Sequence, residues 1–237
     1  MNDQKANWKR CHRFSDCGIG LLAMMGRVIL LLILLSLTVF AQAGWAHNSP
    51  REQYIPVLTV STGENPTGVV TYVMVLFAQR DDAKGLDVHF IAGPSRFSLE
   101  TQAAIVQAIA RTARVLGLST GSWSVGLSVV DPGVIIEGDS LSAMIGLTVG
   151  ALAKGESIPR RRVITGTVTS DGRIGPVGGV GLKVLAARQA GLQMVLVPSM
   201  ADRKGKTPAA TQVFKVSSVS QAYQALMSPK SLDLGNP

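Results

Sequence analysis

The sequence predicts a mixed α/β domain of the α+β class, with an N-terminal β-hairpin region followed by alternating helices and strands. Three observations carry this prediction. Residues 57–93 are β-branched and alternate with a period of two; the period turns helical at Ser98; and helical and strand-like segments then alternate between glycine turns. The 237 residues suffice for one core and an appendage.

The appendage comes first. Residues 1–27 carry Lys5, Lys9, Arg10, Arg13 and Arg27 against Asp3 and Asp16, and the apolar run VILLLILLSLTVFAQA (28–43) follows directly. Basic residues, a short apolar stretch and small residues at Ala41, Ala43 and Ala46 are the parts of a secretory signal. The run falls short of the roughly 20 apolar residues that span a bilayer comfortably. Two readings of residues 1–46 follow. One is a signal peptide cut after Ala43 or Ala46. The other is an uncleaved signal-anchor touching the membrane through residues 19–43, in which IGLLAMM (19–25) extends the apolar length. Either way the remainder is exported, because positive charge stays on the cytoplasmic side. It would be periplasmic, or held at the inner membrane. Residues 47–55 read as a linker, 56–230 as the domain and 231–237 as a tail.

Within the domain, VLTV (57–60), GVVTYVMVLFA (68–78) and GLDVHFIAG (85–93) read as antiparallel strands, with turns at Gly63–Gly68 and Arg80–Lys84. Ser98 is a suitable N-cap. Leu99, Ile105, Val106, Ile109 and Ala113 form an apolar stripe on the helix it starts, and Gly117 closes that helix. A strand (125–132), a helix apolar nearly all round (142–155) and a strand (163–168) come next. A hairpin at 170–172 and a glycine-rich loop (175–181) then lead to a helix (182–191), a strand (194–198) and a last helix near Ser220–Met227.

Composition removes several classes of chemistry. Cys11 and Cys17 both lie in the leader, so the exported part has no thiol. His12 and His47 lie in the leader or beside its end, which leaves His89 alone on a strand; no metal cluster is expected. The net charge of +8 is dispersed except for Arg160-Arg161-Arg162, a run read as a solvated strand entrance, so no nucleic-acid partner is expected. GPVGGVG (175–181) fits neither phosphate-loop pattern, and no nucleotide or other cofactor is expected.

Two residues then stand out. Ser142 sits where EGDSLSAMIG (137–146) turns into an apolar helix, and unpaired amides and partial positive charge at a helix start suit attack on a carbonyl. Lys183 lies between Leu182 and Val184 at an apolar helix start, where burial disfavours its charged form and brings it into the range of a base. Each has a structural alternative: Ser142 as a helix cap, Lys183 as a lysine that snorkels to the surface.

EGDSLSAMIG and TGTVTSDGRIGPVGGVGLKVLAARQAGLQMVLVP (165–198) together resemble the proteolytic domain of Lon proteases. The E-G-D-S-x-S form is similar to the membrane-bound archaeal branch, and the second run to bacterial membrane proteins that join a PDZ domain to such a domain. The resemblance is strong over residues 135–198, extends from Ser98 to Met227, and is faint over 55–93. Taking the nucleophile as the serine three residues after the aspartate, it implies Ser142, with Lys183 as the base. It further implies that Thr165 hydrogen-bonds and orients Lys183, and that Asp139 shapes or blocks the loop, unless Asp139 is a simple N-cap. The pattern departs from the cytoplasmic members, which place Gly-Pro before the serine and Ala-Gly after it. On this register the chain has Ser140-Leu141 and Ala143-Met144 at those places.

These features imply an exported serine endopeptidase acting on unfolded proteins or peptides. No unfoldase motif is present in the sequence, so the activity is expected to be ATP-independent. The resemblance also implies a homo-oligomer, a hexamer. Two alternatives share the fold: a silent binding or assembly module, and a peptidase that processes only itself.

Overall fold

The computed structural model describes residues 49–200 and 211–228. The leader and the tail at 231–237 lie outside them. The described part holds eleven strands and four helices in one mixed α/β arrangement, as the pattern predicts.

β1 (Arg51–Val60) and β2 (Gly68–Gln79) form a long antiparallel hairpin, with Arg51 opposite Phe77 and Val60 opposite Gly68. The strand therefore starts inside the expected linker. Residues 51–55 are held by the full-length pairing with β2 and by Gln53, whose side chain bonds the Ile158 main chain at both ends (2.6 and 3.1 Å). That anchor is 105 residues away in sequence and leaves no local signal.

β3 (Asp87–Phe90) does not continue the meander. It leaves β2 and pairs in parallel with β5 (Trp123–Val129), giving the sheet order β1-β2-β5-β3. A parallel pair needs a long crossover. Here the crossover contains the short β4 (Arg96–Phe97) and helix α1 (Leu99–Val115), which Ser98 caps by accepting a bond from the Thr101 amide. β4 pairs with β6 (Ile135–Ile136).

Helix α2 (Ser142–Ala153) is buried from Ser142 to Leu152. It packs against α1, against β1 and β2, and against β7 (Arg162–Ile164) and β8 (Thr167–Val168). Burial on every side explains why its sequence is apolar all round. Gly146 allows the close crossing with α1: a Cβ there would stand 2.7 Å from Thr112 Oγ1 and 2.9 Å from the Ala108 carbonyl oxygen.

The strand expected at 163–168 is broken at Thr165-Gly166. β7 joins a parallel sheet in the order β11-β10-β7, with β10 (Met194–Pro198) and β11 (Gln212–Val216), whereas β8 pairs with β9 (Ile174–Gly175) in a small hairpin. β11 was not expected from sequence; its residues are mostly half-exposed or exposed and carry little periodic signal. Helix α3 (Val180–Gln189) precedes β10, and α4 (Val219–Met227) ends the described chain. Arg162 of the basic run caps α4 by donating to the Leu226 carbonyl oxygen at 2.7 Å. Among the described residues, no helix is long and apolar enough to cross a membrane.

The start of β2 presses directly on the start of α3. A Cβ on Gly68 would lie 2.1 Å from the carbonyl oxygen of Leu182, a backbone atom that cannot rotate away. Gly68→Ala is therefore expected to cost about 1–3 kcal/mol, as overpacking does. Thermal unfolding checks this, and an unchanged Tm would show that β2 and α3 separate freely.

Candidate functional site

Three segments converge on Lys183: the turn before α2, the break between β7 and β8, and the first turn of α3. The glycine-rich loop ends at Gly179, whose φ of +65° only glycine adopts without strain, and Gly179 starts α3 by accepting the Lys183 amide at 3.0 Å. This first turn points Lys183 inward. Its side chain is buried, at 3% exposure, and does not snorkel. Burial lowers the ammonium pKa from 10.5 to about 8, against the opposing charge of Asp139.

The amine is not directed at Ser142. Lys183 Nζ donates to Ser140 Oγ at 2.8 Å, and no hydrogen bond joins it to Ser142 among the described residues. The expected Ser142–Lys183 contact is thus replaced by a Ser140–Lys183 contact. The cause is where the helix begins. Ser142 is the first residue of α2 and is 2% exposed, turned into the core with the rest of that helix. Ser140 lies two residues earlier, in the turn, and is half-exposed. Ser140 thus combines partial exposure with a bonded amine.

The turn itself is tightly fixed. The Ser140 carbonyl accepts the Gly166 amide at 2.8 Å and the Thr165 hydroxyl at 3.3 Å. Thr165 is fully buried at the strand break, with its own amide on the Leu196 carbonyl at 3.0 Å. It was expected to bond Lys183; instead it holds the main chain of Ser140, and so positions the hydroxyl partner rather than the amine. Asp139 is exposed and is not the N-cap. That place belongs to Leu141, which offers no side-chain bond. Asp139 acts through its carbonyl, which accepts the Ser142 amide at 2.9 Å, and through its charge on Lys183. The Ala143 amide goes to the Gly166 carbonyl at 3.1 Å. The Ser142 and Ala143 amides at the start of α2 are therefore both committed in this arrangement.

The sequence reading took Ser142 rather than Ser140 as nucleophile, on the spacing from Asp139; a second register brings Ser140 to that place. With the nucleophile placed at 140, Gly138 and Asp139 precede it. Gly138 then falls where the Gly-Pro-Ser pattern has glycine, and its φ of +82° requires one. Elsewhere, His89 is exposed and bonded to Asp87 at 2.8 Å on β3, apart from this site in the fold.

The chemistry of the cluster is compact: a hydroxyl, a buried amine with a lowered pKa, and a threonine fixing the hydroxyl's main chain. A protein-family model described as the Lon protease (S16) C-terminal proteolytic domain matches residues 100–224, just over half of the chain. The archaeal Lon protease of Archaeoglobus fulgidus is 40% identical over 63 residues, which is 27% of this chain and 10% of that protein. The Lon protease of Halothermothrix orenii is 36% identical over 62 residues, 26% of this chain and 8% of that protein. The matched stretch thus spans a tenth or less of these relatives.

Proposed function

Because the chain belongs to the family of Lon protease (S16) proteolytic domains, and is on that ground a serine-peptidase domain, we propose that it hydrolyses peptide bonds through Ser140 and Lys183. The observation that carries this reading is the 2.8 Å bond between Lys183 Nζ and Ser140 Oγ, made by a lysine whose pKa burial has lowered to about 8.

The reaction runs in two halves. Neutral Lys183 takes the Ser140 proton as Oγ attacks the peptide carbonyl, then passes that proton to the leaving amine as the C–N bond breaks. Water next attacks the acyl-Ser140 ester, with Lys183 again accepting and returning the proton. Thr165 and Gly166 hold the Ser140 carbonyl throughout, so the hydroxyl meets the amine at one distance. We further propose that cleavage is ATP-independent and acts on unfolded polypeptides and peptides. The basic residues and apolar run of the leader support an exported enzyme.

A serine-reactive phosphonylating probe tests the assignment. Incubation with the full chain, digestion and mass spectrometry should place the adduct on Ser140. An adduct on Ser142 overturns the assignment, and labelling undiminished by Lys183→Met removes the base from it.

A further inference from the structure

The run Arg160-Arg161-Arg162 divides in the structure. Arg162 is taken up by the end of α4, where it donates to the Leu226 carbonyl oxygen at 2.7 Å. Arg160 and Arg161 are exposed, and among the described residues neither side chain makes a hydrogen bond or an ion pair. Both line a cleft of about 770 Å³ that also takes in Glu52, Tyr54 and Tyr72 of the β1–β2 hairpin. The tyrosines stand diagonally across the two strands, since Tyr54 lies opposite Met74 and Tyr72 opposite Pro56, and they are 54% and 41% exposed. The frame is fixed, because the Gln53 side chain ties β1 to Ile158, just before the arginines. Arg161 is itself locked at a φ of +68°, its carbonyl oxygen accepting the amides of Gln193 at 2.8 Å and Met194 at 3.2 Å. That conformation favours glycine, and a bulky residue held in it marks strain of the kind that gathers at binding sites. The cleft is separate from the Ser140 site. Ala190 and Leu192 line it beyond the end of α3, whereas Lys183 lies in the first turn, about 10 Å back along the helix axis.

We infer that this cleft binds an acidic segment of the polypeptide substrate, with Arg160 and Arg161 pairing with its carboxylates beside Tyr54 and Tyr72. The choice of a substrate polypeptide rests on the peptidase reading; the binding of carboxylates does not. A guanidinium presents paired N–H donors that match a carboxylate, and the two here are unspent. Glu52, the one carboxylate in the lining, interacts with the Tyr54 hydroxyl, whose pKa it raises, and two arginines outweigh its charge. The tyrosines add rigid contact area at small entropic cost. Shape favours a peptide over a membrane: a concave site admits a chain, whereas an interfacial site lays an apolar face into lipid. A segment held at the far end of α3 raises the local concentration of the rest of its chain near Ser140, so the benefit falls on KM.

Binding and turnover separate this inference from the reading beneath it. Fluorescence anisotropy on the full chain carrying Ser140→Ala would compare two labelled peptides of equal length, one with a central run of glutamate and one with glutamine in its place. The glutamate peptide should bind more tightly. Adding Arg160→Gln and Arg161→Gly should weaken it at least about tenfold and leave the glutamine peptide unaffected. Glycine suits the backbone at 161, so the Tm should hold and lost binding reports the guanidinium. Arg114→Gln, at an exposed arginine of α1 outside the cleft, should change neither affinity. In chains that keep Ser140, joining the glutamate run to a cleavable peptide should lower KM with kcat unchanged, and the two cleft substitutions should restore the higher KM. Equal binding of the two peptides, equal weakening by Arg114→Gln, or an unchanged KM each overturns the inference. Displacement of the glutamate peptide by phosphatidylglycerol vesicles, but not by phosphatidylcholine vesicles, overturns it in favour of a membrane site. Selective binding that depends on Arg160 and Arg161, without turnover in the Ser140 chain, would instead keep the acidic-peptide cleft and reject the peptidase reading.

Discussion

Replacing Ser140 by alanine is expected to abolish hydrolysis of an unfolded protein substrate, lowering kcat by at least about a thousandfold, while Ser142→Ala retains turnover within a few-fold of the original. The contrast follows from two observations. Ser140 is half-exposed and its hydroxyl lies 2.8 Å from the amine, whereas Ser142 is 2% exposed on a helix that is buried on every side. Alanine suits both places. Ser140 keeps its main-chain bonds to Thr165 and Gly166 in the variant, and alanine at 142 adds to helix propensity. Thermal unfolding of both variants should stay close to that of the parent, so that lost turnover reports chemistry. The reverse pattern, with Ser142→Ala dead and Ser140→Ala active, would return the nucleophile to the helix.

The two-residue displacement shows what the sequence made legible. Periodicity placed the start of α2 at Ser142, its observed first residue, and Ser98 as the cap of α1. An apolar run with a hydroxyl at its start marks a helix boundary well. Which hydroxyl faces an amine from a helix some forty residues later depends on how the turn is pinned, and that is set by Thr165 and Gly166 in the break between β7 and β8. Lys183 was legible through the resemblance, because its apolar neighbours alone leave open a lysine that snorkels to the surface. The parallel placement of β3 and the extension of β1 through Gln53 depend equally on distant pairings. Local pattern therefore gave the elements and the two regions of the candidate site, while non-local hydrogen bonds decided which serine meets the amine.

Lys183 carries the second large effect, and its protonation gives two readouts of opposite sign. As the base it must be neutral, so with a pKa lowered to about 8 the rate should fall about tenfold per pH unit below that value and level off above it. Lys183→Arg keeps the charge and nearly the reach, but a guanidinium does not deprotonate in this range; it should be inactive at every pH. Lys183→Met should be equally inactive yet more stable than the parent at neutral pH. A lysine whose folded pKa lies below its unfolded value of 10.5 destabilises the fold, because the unfolded chain holds the proton more tightly. That penalty is fully present below about pH 8 and fades as pH rises toward 10.5. The Tm advantage of Lys183→Met should therefore be largest near pH 7 and shrink through that window. A rate that is flat from pH 6 to 9, or a methionine variant less stable than the parent at pH 7, would show that the buried amine is not the titrating base. An effect of the predicted sign in both measurements would tie the same proton to catalysis and to the cost of holding Lys183 against Ser140.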